Sequence, residues 1–330
     1  MSNMGQPTVH AIFEKNTSTW QYIVACPSTK EAVIIDPVLD FDQEKLTIST
    51  KSAQKLLETA KSNNYRIVRL LETHAHADHL TASHYLQKAL IAAGQARPPI
   101  CIGKRIRTVQ ETFAKIYNIP EDEIRNVFDH LFSDNEEFRI GELTVKVFHL
   151  PGHTPDHVGY VIGENVFTGD SIFNPDVGSA RCDFPGGDAR TLWNSVQQLL
   201  SLPPRYKLYT GHDYPPASGS NDQFEGREAM PFVTVKEQQE RNKHVKEGTD
   251  EEEFVKWRAE RDQGLREPKL LHPALQVNVR GGQLPKNRHN GGVFFKLLVK
   301  VPADRFILVP SKPVPHVPDI APLRTPAPLV

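Results

Sequence analysis

The stretch Thr73-His74-Ala75-His76-Ala77-Asp78-His79 constrains this chain more than any other. Three imidazoles and a carboxylate fall within six positions, just after the apolar run at 66–72 and before a helical pattern that starts near Leu80. In extended backbone, residues i and i+2 point the same way, so His74 and His76 share a direction at a strand end. In a helix they would diverge by roughly 200°. Asp78 and His79 come after the chain has begun to turn and aim at an adjacent point. Borderline divalent metals take imidazole and carboxylate ligands at such range. The plainer alternative is a polar loop in which Asp78 caps the next helix.

A second pattern recurs three times: an apolar strand, a glycine, then a ligand-type residue. It places His153 in LPGHTPDH, Asp170 in VFTGDSIF and His212 in LYTGHDYP. Loops at strand ends gather on one rim, which makes these side chains candidates for the same site.

The remaining composition narrows the classes. Of 330 residues, 38% are hydrophobic and 24% charged, with a formal net charge of −1. That suits a globular core and gives no electrostatic reason to expect a nucleic-acid or membrane partner. Cys26, Cys101 and Cys182 lie far apart without a Cys-x-x-Cys, which excludes a disulfide scaffold and a cysteine-cluster zinc site. The N-terminus lacks a basic segment followed by an apolar run, and no window reaches about 18 uninterrupted apolar residues. The expectation is a soluble, cytoplasmic protein acting on a small molecule.

Residues 8–36 read as a strand meander, 49–63 as a helix behind a Ser or Thr cap, and 80–94 as a helix stopped by Gly94. A strand at 98–103 precedes another helix, 138–170 holds three or four strands, 188–203 a helix, and 206–214 a strand running into a loop. This α/β order suggests two halves and fits an αββα sandwich, two packed mixed sheets with helices outside. Residues 1–217 form the expected catalytic domain. The charged helical stretch that follows lacks apolar residues for its own core, so 218–309 is expected to pack on that domain. Residues 310–330 carry a proline every two to four positions and read as an extended or disordered tail.

His-x-His-x-Asp-His at 74–79, PGHT with His153, TGD with Asp170 and GHD with His212 together resemble the metallo-β-lactamase superfamily signature, over about residues 8–215. The resemblance implies a metal site at one edge of the αββα sandwich. A two-metal version would use His74, His76 and His153 at one site, Asp78, His79 and His212 at the other, and Asp170 between them. IDPVLDFD, THAHADHLTAS, GSARCDFPGGDARTLWNSV and GHDY are similar to the persulfide dioxygenase branch. That branch implies one Fe(II) held by His74, His153 and Asp170, leaving three positions for water, O2 and a substrate thiolate. It also makes Asp78, Arg181 and Tyr214 the catalytic candidates, with Arg181 gripping a carboxylate such as that of glutathione. A homodimer is compatible with it.

Two departures stand out. Ser179-Ala180-Arg181 replaces the Cys-Gly-Arg of close dioxygenases, and Cys182 replaces a common threonine. The alternative reading is a hydrolase using one or two Zn2+ to cleave a small lactam, lactone or thioester. Against a glutathione thioester, no basic patch is visible along the chain. His84, His130 and His149 read as ordinary core or surface histidines, and His157 lies close to the rim.

Overall fold

The computed structural model describes residues 5–216, 226–287 and 291–298. Met1–Lys296 form one compact unit and Leu297–Val330 another. All the elements named here belong to the first, and the expected proline-rich tail at 310–330 lies outside the described residues.

The chain begins with the antiparallel meander β1 (Thr8–Glu14), β2 (Thr19–Ala25) and β3 (Glu31–Ile35). The short strands β4 (Val38–Asp42) and β5 (Thr47–Ser49) lead into α1 (Lys51–Ser62). β6 (Arg66–Leu71), β7 (Leu80–Thr81), α2 (Ser83–Ala92), β8 (Ile100–Gly103), α3 (Ile106–Tyr117) and β9 (His130–Phe132) complete the first half. Its sheet runs β1-β2-β3-β6-β8-β9, parallel from β3 onward, and β5-β4-β7 make a small separate sheet.

The second half contains β10 (Glu137–Ile140), β11 (Leu143–His149), β12 (Val158–Ile162), β13 (Asn165–Gly169), α4 (Ala189–Leu200), β14 (Lys207–Thr210) and β15 (Phe232–Thr234). Its sheet runs in that strand order, antiparallel except where β13 and β14 pair parallel. Then come α5 (Val235–Arg241), α6 (Glu251–Gln263) and α7 (Leu271–Asn278).

Alternation along the central strands builds the layers. Trp20, Tyr22 and Val24 of β2 and Val33 and Ile35 of β3 face Val145, Val147, Tyr160 and Phe167 of the other sheet in one buried cluster. The intervening Ile23, Ala25, Ala32 and Ile34 pack under α1, α2, α3 and α7. On the far side, Leu192, Val196 and Leu199 of α4 join Val235 of α5 and Phe254 of α6. Because both faces are covered, β2 is buried along its whole length and shows no polar alternation.

Two local expectations change. Thr50 precedes α1 without a side-chain cap bond; Asp40 of β4 instead accepts from the Ser52 N–H at 3.0 Å and its hydroxyl at 2.7 Å. The C-terminal stretch is also less polar in effect than its composition implies. Ala274, Leu275 and Val277 of α7 are fully buried in the cluster beneath the first sheet. Among the described residues no helix is long and apolar enough to cross a membrane.

If α7 completes that core, Leu275→Ala lowers the unfolding free energy by about 2–5 kcal/mol, the range for truncating a buried leucine. Urea melts read by circular dichroism measure it.

Candidate metal centre

β11, β13 and β14 run in one direction, so their C-terminal ends bring His153, Asp170 and His212 to one edge of the second sheet. The loop after β6 brings residues 72–79 to the facing edge of the first sheet. Bonds between the halves hold the two edges together. The Tyr160 hydroxyl donates to the Glu72 carbonyl at 2.7 Å, the Val158 N–H to the Thr73 carbonyl at 2.8 Å, and the Trp20 N–H to the Gly211 carbonyl at 2.8 Å.

The strand–glycine–ligand pattern has a steric cause. A Cβ on Gly169, whose φ is +49°, would stand 2.6 Å from Thr73 Oγ1 and 2.7 Å from His157 Nε2. One on Gly211 would stand 2.3 Å from Asp170 Oδ1. Two ligand loops touch at each glycine and leave no room for a side chain.

Asp170 is the hub. Its Oδ2 lies 3.9, 3.7 and 3.5 Å from Nε2 of His74, His153 and His212. His212 Nε2 is also 3.2 Å from Asp78 Oδ2, and His79 Nδ1 is 3.8 Å from Asp78 Oδ1. The donor atoms of His74, His153 and Asp170 lie within 4.8 Å of one another, as do those of His76, Asp78 and His79. Ala82, not Asp78, precedes α2, so the capping alternative for Asp78 does not hold.

A second layer of hydrogen bonds fixes which ring nitrogen is free. The Thr73 hydroxyl donates to Asp36 Oδ2, so at 3.0 Å it accepts from His74 Nδ1–H. His153 Nδ1–H donates to the Arg181 carbonyl at 2.7 Å, and His212 Nδ1–H to the Ser18 carbonyl at 3.2 Å. Each bond turns an Nε2 lone pair toward Asp170. His74 Nε2, His212 Nε2, Asp170 Oδ1, Asp78 Oδ2 and both nitrogens of His79 have no hydrogen-bond partner among the described residues.

Protonation follows burial. Desolvation, helped by the neighbouring imidazoles, holds His74 well below the usual histidine range. Burial also carries His79 down to about 3, against the pull of Asp78. Both rings are neutral at pH 7, with a lone pair to give. His76 differs. Burial lowers it, but Asp36 Oδ1 at 3.1 Å and Glu72 Oε2 at 3.8 Å outweigh burial and raise it to about 10. Converging buried lone pairs without donors are costly in a dry interior and are what a divalent cation requires. The donor set of nitrogens and carboxylate oxygens fits iron or zinc.

Several residues at this centre escaped the sequence reading. Asn278, at the end of α7, donates to the carbonyls of His76 at 2.7 Å and His79 at 2.8 Å, and accepts from the Thr81 N–H at 2.8 Å. Asp156 accepts from the Ala75 N–H at 2.9 Å. His157 accepts from the Asp170 N–H at 3.0 Å and stacks on His74, centroids 4.7 Å apart. Asp36, inside IDPVLDFD, and Asp156 and His157, inside LPGHTPDH, lay within legible motifs. His84, His130 and His149 are not among these ligands, and His130 pairs with Glu136 at 2.6 Å.

The other candidates line the cavity above. Arg181 is already engaged: Nε and Nη2 bind the Asp183 carboxylate, and Nη1 donates to the Arg266 carbonyl at 3.0 Å. Its main contribution to the centre is the carbonyl that orients His153. Tyr214 is 47% exposed and stacks on His212, centroids 5.9 Å apart. Cys182 packs among α4 and α6 residues, and burial pushes its thiol up.

The model of the metallo-beta-lactamase superfamily matches residues 16–212. The chain belongs to that superfamily. It is a metal-dependent enzyme with that fold. It is 43% identical to Glyoxylase B2 of Dictyostelium discoideum, covering 90% of this chain and 98% of the relative. It is 27% identical to the mitochondrial persulfide dioxygenase ETHE1 of Bos taurus over 82% of this chain and 87% of that one. The solved structure of ETHE1 from Myxococcus xanthus is similar at a TM-score of 0.64 and 26% identity, covering 84% of this chain and all, 100%, of the other.

Two outcomes are expected of this centre. Asn278→Ala leaves the fold intact but weakens metal binding by about 10–100-fold, the usual effect of losing a group that orients ligands; chelator competition and elemental analysis measure it. Stripping the metal lowers the thermal unfolding midpoint, and returning it restores the midpoint, because a ligand of the native state alone stabilises that state.

Proposed function

We propose that this enzyme is a persulfide dioxygenase, oxidising the persulfide of a low-molecular-mass thiol, glutathione persulfide foremost, to sulfite. The reaction consumes one O2 and one water per persulfide and returns the thiol, sulfite and two protons. The observation that carries the reading is the compact His74–His153–Asp170 group. It offers two imidazoles and one carboxylate, while His76 is drawn toward Asp36 and Glu72. The likeness to ETHE1 in sequence and in fold supports it. Fe(II) held by His74, His153 and Asp170 would supply redox chemistry toward O2, which zinc cannot match because it does not change oxidation state.

The chain's own groups prepare that chemistry. The Arg181 carbonyl and the Thr73 hydroxyl hold His153 and His74 in the tautomers that present Nε2. Burial raises Asp78, but His212, 3.2 Å away, leads the neighbours that outweigh burial and bring it down to about 2. Asp78 is therefore a carboxylate on the cavity floor, suited to accept hydrogen bonds from the water consumed. Tyr214 and Phe173, with centroids 6.1 Å apart, form an apolar lip beside it.

A zinc hydrolase is the second reading. The identity to Glyoxylase B2 and the unpartnered nitrogens of His79 favour it. One experiment separates the two. Protein loaded anaerobically with Fe(II) takes up one O2 per glutathione persulfide and releases sulfite, zinc-loaded protein does not, His153→Ala abolishes uptake, and His79→Ala keeps most of it. Absence of oxygen uptake, together with thioester or lactam turnover by zinc-loaded protein that is lost in His79→Ala, would establish the hydrolase instead.

A further inference from the structure

The cavity over the metal centre holds about 1260 Å³, far more than a persulfide sulfur and O2 occupy. Its walls differ in charge. The wall from residues 14–51 contributes acids that are mostly committed. Glu14 accepts from the Asn16 and Thr17 N–H groups at 2.8 Å, Asp40 caps α1, and Asp42 pairs with Lys45 at 2.7 Å. The wall from residues 243–270 brings Lys243, Arg258, Arg261 and Lys269 to the cavity and no carboxylate.

Arg258 is buried and tied to Asp262, which also accepts from the Cys182 N–H at 2.8 Å. That arrangement anchors α6 to the Arg181–Asp183 loop. Lys243, Arg261 and Lys269 are exposed, line the cavity and form no ion pair among the described residues. Trp257 lines the same wall, with His244 tilted against it, centroids 3.9 Å apart, and the Arg258 guanidinium 4.8 Å from its ring. The positive field is felt locally. Burial first, then Lys243, Arg258 and Arg261, lower His244 to about 3. A neutral histidine leaves the wall's charge to the lysines and arginines.

We propose that Lys243, Arg261 and Lys269 form an anion subsite that holds the carboxylate end of the substrate while its sulfur reaches His74, His153 and Asp170. The substrate class is then a small thiol persulfide bearing at least one carboxylate remote from the sulfur. Only the identity of the reacting end rests on the persulfide reading. The basic patch that the sequence does not display is assembled by folding, because its members precede, occupy and follow α6. Unpaired cations facing a shared cavity attract and orient an anion, and they lose less to desolvation when half in water.

The test is a binding measurement that needs no turnover. Metal-loaded full-length protein is titrated calorimetrically with S-methylglutathione, as wild type and as Lys243→Gln, Arg261→Gln, Lys269→Gln and the triple variant. Each exposed charge is expected to weaken binding about threefold and the triple variant about tenfold or more. The dimethyl ester of the probe should bind wild type as weakly as the free acid binds the triple variant, and metal content should not change. Equal binding of the acid by wild type and triple variant, no binding by wild type, or equal binding of acid and ester overturns the subsite. If iron-loaded protein takes up no oxygen yet the triple variant loses the probe, the dioxygenase reading fails and the subsite stands.

Discussion

The structure depends on the cost of burying imidazoles with their lone pairs free. His74 and His212 are almost fully buried, and the nitrogens they turn inward find no donor among the described residues. Such groups persist only where the surroundings fix them and where a cation answers them. Both sheets end at this point. The cross-sheet bonds from Tyr160, Val158 and Trp20 lie at the same rim, so the packing that closes the sandwich also sets the spacing of the ligands.

Around the donors stands a layer of groups from distant parts of the chain. Asp36 comes from the end of β3, the Arg181 carbonyl from the loop before α4, the Ser18 carbonyl from the first hairpin and Asn278 from α7. The two carbonyls each select a histidine tautomer, while Asp36 and Asn278 each hold several groups of the ligand loop at once. The segment after β15 thus serves the site twice. α7 fastens the ligand loop from beneath, and α6 with its flanks supplies a cavity wall. Substitution along that segment can alter which molecule enters without touching a metal ligand, which is how one fold comes to host different reactions.

The legible parts of the sequence were those governed by local periodicity. The meander, the helices at α1 to α4, the strand–glycine–ligand junctions and the layered architecture all follow from patterns within a dozen residues. β4, β5, β7 and β9 are two to five residues long, too short for a period to declare itself. α7 was hidden because its LHPALQVN carries a proline inside the helical stretch and is buried nearly all round, so no polar face marks it. Arg181 is the reverse case: its Arg-x-Asp spacing allowed either a grip on substrate or a structural pair with Asp183, and the folded loop shows the pair together with a bond to the Arg266 carbonyl.

By itself the sequence determined the donor inventory and its placement at strand ends, because ligand chemistry is a property of residue type and strand geometry repeats every two residues. Tertiary structure alone decided which nitrogen of each histidine is free, that His76 is held between Asp36 and Glu72, and that three separated cations share one wall. The reason is range. A tautomer is set by whichever acceptor lies against the other ring nitrogen, and for His153 and His212 those acceptors are 28 and 194 residues away along the chain.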